Sequence, residues 1–86
     1  MASGNEHLLA SLLFSTVARE QHVERSKARA LALLGLGRIR EAVASMMMDM
    51  RKHPNCEVPP EINVIGIFAA GAGDAALARA YIEVFS

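Results

Sequence analysis

The chain has 86 residues, 52% of them hydrophobic but only 5% aromatic, with no Trp and a formal net charge of zero. A chain this short buries only a little over ~60% of the surface it exposes when unfolded, so it suits one small domain of marginal stability. Neutrality argues against a nucleic-acid partner, the single Cys56 excludes an intrachain disulfide, and no apolar run reaches membrane-spanning length.

The charge is unevenly spread. Residues 19–52 hold eight Lys and Arg against four acids, whereas residues 53–86 hold Arg79 alone against Glu57, Glu61, Asp74 and Glu83. Acids are laced through the basic stretch, which reads as solvated helix surface rather than a phosphate-binding stripe. His22, between Glu20 and Glu24, reads as part of that surface. Residues 8–17 are apolar enough to pass for a signal core, but acidic Glu6 stands where a secretory signal needs cations. A cytoplasmic protein without membrane insertion is expected.

Ser3-Gly-Asn-Glu6 has the form of a capping box, so a first helix should cover residues 4–20, with Leu8, Leu9, Leu12, Leu13 and Val17 as its stripe. The pattern fades at Arg19-Glu20-Gln21-His22, which suggests a boundary and a second helix over 23–36. Gly37 suits the close of that helix. The third helix has the clearest period: Ile39, Ala42, Val43, Met46, Met47 and Met50 share one face. Met48 lies off that stripe. Pro54 ends the helix, and residues 54–58 form a loop. Pro59-Pro60 is a helix entry. Residues 61–72 are ambiguous by periodicity, and a last helix begins with Asp74 as its N-cap.

Within residues 62–78, Gly71-Ala-Gly73-Asp-Ala-Ala76 spells G-x-G-x-x-A, the phosphate turn of a dinucleotide-binding fold. That reading needs a strand over 62–68 and an acid about 20 residues beyond the glycines. Only 13 residues follow Gly73, so it survives only for a fragment of a dinucleotide-binding enzyme. A shift of 36 positions offers another explanation. It lays Gly35 on Gly71, Gly37 on Gly73, Ala42 on Ala78, Ala44 on Ala80 and Met46 on Ile82. Two copies of one helix–turn–helix unit are expected, with the second copy helical despite its β-branched residues.

Residues 34–54, LGLGRIREAVASMMMDMRKHP, resemble the second part of the tetratricopeptide motif. There a Gly precedes the second helix, an Ala stands five residues later and a Pro follows. Gly37, Ala42 and Pro54 occupy those places. The next unit supplies Ile65-Gly66 for the family's Leu-Gly, then Gly73 and Ala78. The departures are Ser26 and Ile62 at the Trp site, Arg29-Ala30 for Leu-Gly in the first unit, and Met46 and Ile82 at the aromatic site. The resemblance covers residues 22–86. It implies an all-α fold of about five helices: a capping helix (4–20) and two repeats (22–54 and 59–86) in one domain (1–86). In length and layout the chain is also similar to the short tetratricopeptide-like chaperones of type III secretion needle subunits. That likeness implies a cytoplasmic protein cupping an aggregation-prone amphipathic helix, with a second small helical chaperone in the complex.

In the tetratricopeptide fold the first helix of each pair lines the concave face. The resemblance places Lys27, Leu31 and Leu34, then Asn63, Ile67 and Ala70, on that face, where an amphipathic helix could dock. Met48 is a further partner-binding candidate, since Met-rich surfaces adapt to varied apolar partners. So are Tyr81, Val84 and Phe85, which nothing later in the chain can cover. Two and a half repeats fall short of the three that solenoids usually need for a continuous core.

No catalytic, cofactor or metal residues are expected. His53-x-x-Cys56 has a metal-like spacing, but a four-ligand site would have to recruit His7 or His22. Cys56 lies beside Glu57 rather than cations, so nothing activates its thiolate. The expectation is a non-enzymatic protein–protein interaction module. The alternative is a structural protein that buries the same apolar surface against a second copy as a homodimer.

Overall fold

The computed structural model describes residues 3–52 and 58–85, with side chains from residue 17 onward. The His53/Cys56 pair, most of the expected 54–58 loop and the Leu8–Leu9–Leu12–Leu13 side chains lie outside that range. All regular elements among the described residues are helices: α1 (Ser3–Gly35), α2 (Ile39–Lys52), α3 (Pro60–Ala72) and α4 (Ala75–Glu83). The chain is all-α, with four helices among the described residues in place of about five. The expected boundary near His22 is absent, and α1 runs through it. The apolar stripe fades at 19–22, but polarity does not end a helix. Ala18, Arg19, Glu20 and Gln21 are strong helix formers, and the segment holds neither Gly nor Pro.

Residues 62–68 are helical, which leaves no strand–turn–helix for a dinucleotide. Four β-branched residues cost a few tenths of a kcal/mol each, less than the local signals around them supply. Pro60 opens α3 in its first turn, and Gly73 closes it at φ 64°. Gly37 has the same role after α1, at φ 78°. The two turns are bonded alike. Gly37 N–H donates to Leu34 O (2.9 Å) and Arg38 N–H to Leu33 O (3.0 Å). Thirty-six positions on, Gly73 N–H donates to Ala70 O (3.4 Å) and Asp74 N–H to Ala69 O (3.0 Å). This is the Schellman pattern, which satisfies orphan carbonyls and needs a left-handed residue. Asp74 then caps α4 by accepting from Leu77 N–H at 3.0 Å.

Helix α2 packs on α1, α3 and α4, and α4 touches the other three. Among the described residues no Cα of α1 comes within 8 Å of α3. The core comprises Val23, Ala30 and Leu34 of α1, Ala42, Val43, Met46 and Met50 of α2, and Ala69, Ala78, Tyr81, Ile82 and Phe85 of the second hairpin. Positions 36 apart share environments: Ala42 and Ala78 are both buried, as are Met46 and Ile82, and Ala30 and Gly66. At Gly66 a Cβ would stand 2.8 Å from the Tyr81 ring and 2.8 Å from Met47 Cε. The missing side chain is what lets α3 lie on Tyr81. The Tyr81 and Phe85 rings meet edge to face, 5.2 Å apart. From α1, the Lys27 ammonium donates to Phe85 O at 2.9 Å. A cation there also faces the negative end of the α4 dipole.

Two outcomes follow from this packing. Gly66→Ala should destabilise the protein by about 1 kcal/mol in urea titrations followed by circular dichroism. Its overpacking cost of about 1–3 kcal/mol exceeds the helix-propensity gain of about 1 kcal/mol. Gly71→Ala, where nothing lies within 4 Å of the added carbon, should instead gain up to about 1 kcal/mol. Burial raises the Tyr81 hydroxyl to about 12, with Arg51 pulling slightly the other way. A folded value above the unfolded one means that its contribution is whole below pH 10 and disappears as pH rises through 12. Two units correspond to about 2–3 kcal/mol. Tyr81→Phe should therefore flatten the loss of stability between pH 10 and 12. Tyr81 is the sole tyrosine, so phenolate absorbance reads its ionisation directly.

Candidate functional site

Beyond Glu61 and Asn63 in its first turn, helix α3 is apolar on every side. One side packs Gly66 and Ala69 against the core. On the other, Val64, Ile67 and Phe68 are 62%, 63% and 66% exposed, with Ile65 also in solvent. Helices of this kind are normally buried all round. Here α1 does not reach α3, so no described element covers the outer face.

Beside that face, α3 and α4 enclose a groove of about 240 Å³ lined by Ile62, Ile65, Leu77, Ala80, Tyr81 and Val84. Small Ala80 leaves it open between the larger flanks, and Tyr81 forms part of the floor. The groove is smaller than the roughly 300–1,000 Å³ usual for a small-molecule pocket. Its apolar walls are contiguous with the exposed side of α3, and the two make one open apolar surface. Glu61 precedes Ile62 on one wall, and Glu83 precedes Val84 on the other. Glu83 accepts a distant Arg79 guanidinium at 3.7 Å.

Two of the groove positions carry different chemistry 36 residues earlier in the first hairpin. Ile62 and Ile65 become Ser26 and Arg29, which line a polar cleft with His22, Arg25, Asp49 and Lys52. Asp49 is only 4% exposed. Arg29 Nη1 lies 2.7 Å from its Oδ2, and Lys52 Nζ 3.7 Å from its Oδ1. His22 donates from Nε2 to Asp49 O at 2.7 Å, since a carbonyl can only accept. His22 is thus a half-buried tie between α1 and α2, a correction to its reading as solvated surface. This cleft answers its own polar groups, whereas the groove on the second hairpin stays open.

The ten residues expected at a partner surface fall into three groups: buried, half-buried and exposed. Leu34, Tyr81 and Phe85 are buried in the core. Phe85 and Tyr81 do have a cover, contrary to expectation, because α4 folds back onto α1 and α2. Val84 beside them is exposed. Lys27, Leu31, Asn63 and Ala70 are half-buried. Lys27 is held on Phe85 O, Leu31 and Ala70 pack against the core, and Asn63 Oδ1 accepts from the Tyr81 hydroxyl at a long 3.4 Å. Ile67 and Met48 are exposed. The structure brings Lys27, Asn63, Tyr81 and Phe85 to one end of the core. It does not bring Lys27, Leu31 and Leu34 alongside Asn63, Ile67 and Ala70, since α1 and α3 stand apart. Sequence reasoning missed Val64, Ile65, Phe68 and Leu77. The available signal was the unbroken hydropathy of residues 64–70, which no polar stripe interrupts.

Among the described residues no three His, Cys, Asp or Glu side chains converge on a metal-sized site. No described helix is long and apolar enough to cross a membrane. Compared with protein-family models, curated proteins and solved structures, the chain matches none of them.

Proposed function

We propose that this protein is a non-catalytic, tetratricopeptide-like binding module whose second hairpin holds an amphipathic helix of another small protein. Its concrete role is that of a cytoplasmic chaperone for a small self-assembling export substrate of the needle-subunit kind. A second small helical chaperone belongs to the same complex. The observation that carries this reading is the outer face of α3, where Val64, Ile67 and Phe68 stand in solvent beside an apolar groove. Exposed contiguous apolar surface marks an interaction site, and a groove flanked by two helices suits a third helix laid along it.

The two-repeat organisation is part of the proposal. It is supported by the matched turn bonds at Gly37 and Gly73 and by the buried pairs 36 positions apart. The separation of α1 from α3 counts against a concave row shared by those helices. The reading therefore places the partner on the α3–α4 side. Hiding an assembly helix there would keep the client monomeric, because the surface that joins client to client would already be covered.

The test is assembly of a purified needle-type subunit followed by light scattering. The wild-type chain should suppress polymerisation at about one-to-one stoichiometry. Phe68→Glu and Ile65→Glu should retain helicity by circular dichroism and lose at least ~10-fold in potency, the equivalent of about 1.4 kcal/mol. Leu34→Glu, by contrast, buries a charge in the core and should unfold the protein. Suppression by both surface variants at wild-type strength would exclude this face.

A further inference from the structure

We infer that the α3–α4 face selects helices whose apolar stripe is flanked by Lys or Arg, which deepens the reading above and rests on it. Register places Glu61 on the outer wall of the groove, one residue before Ile62 and four before Ile65. Glu83 stands on the opposite wall, three residues after Ala80 and one before Val84. The hairpin is antiparallel, so the first turn of α3 and the last turn of α4 share one end. Both carboxylates mark that end, and both residues are exposed. Asp74 stands at the other end of α4, its carboxylate accepting the Leu77 N–H.

Cations near this rim are few. From residue 58 to 85 the only one is Arg79, at 3.7 Å from Glu83. Among the described residues no cation lies within ion-pair distance of Glu61. Lys27 and Arg51 belong to α1 and α2, which pack against the buried side of α4, and Lys27 is held on Phe85 O. The basic surplus of the chain thus sits on the first hairpin and the acidic surplus on the second. An apolar groove with an acidic rim attracts a helix with basic flanks and repels one with acidic flanks. Rim charges of this kind set partner choice and association rate more than raw affinity. The chain's own residues 3–16 carry Glu6 and neither Lys nor Arg, so they gain nothing from this rim.

The experiment uses two synthetic helical peptides with one Leu stripe, flanked by Lys in the first and by Glu in the second. Fluorescence anisotropy against the full chain reads their affinities. At low salt the Lys-flanked peptide should bind about 10-fold tighter or more, the sum of a few surface charge pairs. The gap should shrink towards nothing at about 0.5 M salt. The double variant Glu61→Lys with Glu83→Lys, its helicity checked by circular dichroism, should reverse the preference. Equal binding of both peptides at low salt would overturn the charge inference and leave the groove reading standing. Binding of neither would overturn both. If the chain alone proves to be a dimer that Ile65→Glu dissociates, the occupant is a second copy and the inference fails.

Discussion

The close approach at Gly66 governs the rest of the structure. With no side chain there, α3 rests directly on the Tyr81 ring, and Tyr81 can sink among the helices with only 1% of its surface in contact with solvent. Small residues help to bring the helices together around it, with Ala30, Ala42, Ala69 and Ala78 all fully buried. A chain with 5% aromatics gains its cohesion by bringing backbones together, so that dispersion contacts form between main chains as well as side chains. The same economy of volume limits what the helices can cover. Among the described residues no fifth helix lies over the far side of α3.

That limit separates two hairpins with shared turn chemistry. Both close on a left-handed glycine with the same pair of hydrogen bonds. The first then fills its interhelical cleft with Asp49, Arg29, Lys52 and His22, a set that binds to itself and tolerates water. The second has Ile62 and Ile65 where the first has Ser26 and Arg29, and its groove is lined by apolar side chains. The cleft of the first hairpin is polar and paired within itself, whereas the groove of the second is apolar and open.

What the sequence made legible was local. Gly37, Gly73, Pro60 and Asp74 announce turns and caps through their own backbone chemistry, and the period of α2 identifies Met46 and Met50 as core. Three things were not legible. The continuity of α1 was hidden because a change from apolar to polar at residue 19 resembles a boundary although helix propensity is unbroken there. The inward side of α3 was hidden because all its sides beyond Asn63 are apolar, and the choice was made by Gly66, which carries no hydropathy signal. The burial of Tyr81 and Phe85 was hidden because their cover comes from α1 and α2, far back in the chain. The same distance concealed His22, whose partner Asp49 lies 27 positions away.

The tie between Lys27 and Phe85 spans 58 positions. It bears on how the protein is made as well as how it stands. A ribosome adds residues over seconds, whereas helix hairpins close in microseconds to milliseconds. The first hairpin has time to form while the second is still inside the exit tunnel, yet the place on α1 that receives α4, marked by Lys27, stays bare until residue 85 has emerged. A nascent chain of this protein thus exposes, for a few seconds, a face of α1 that the mature one covers.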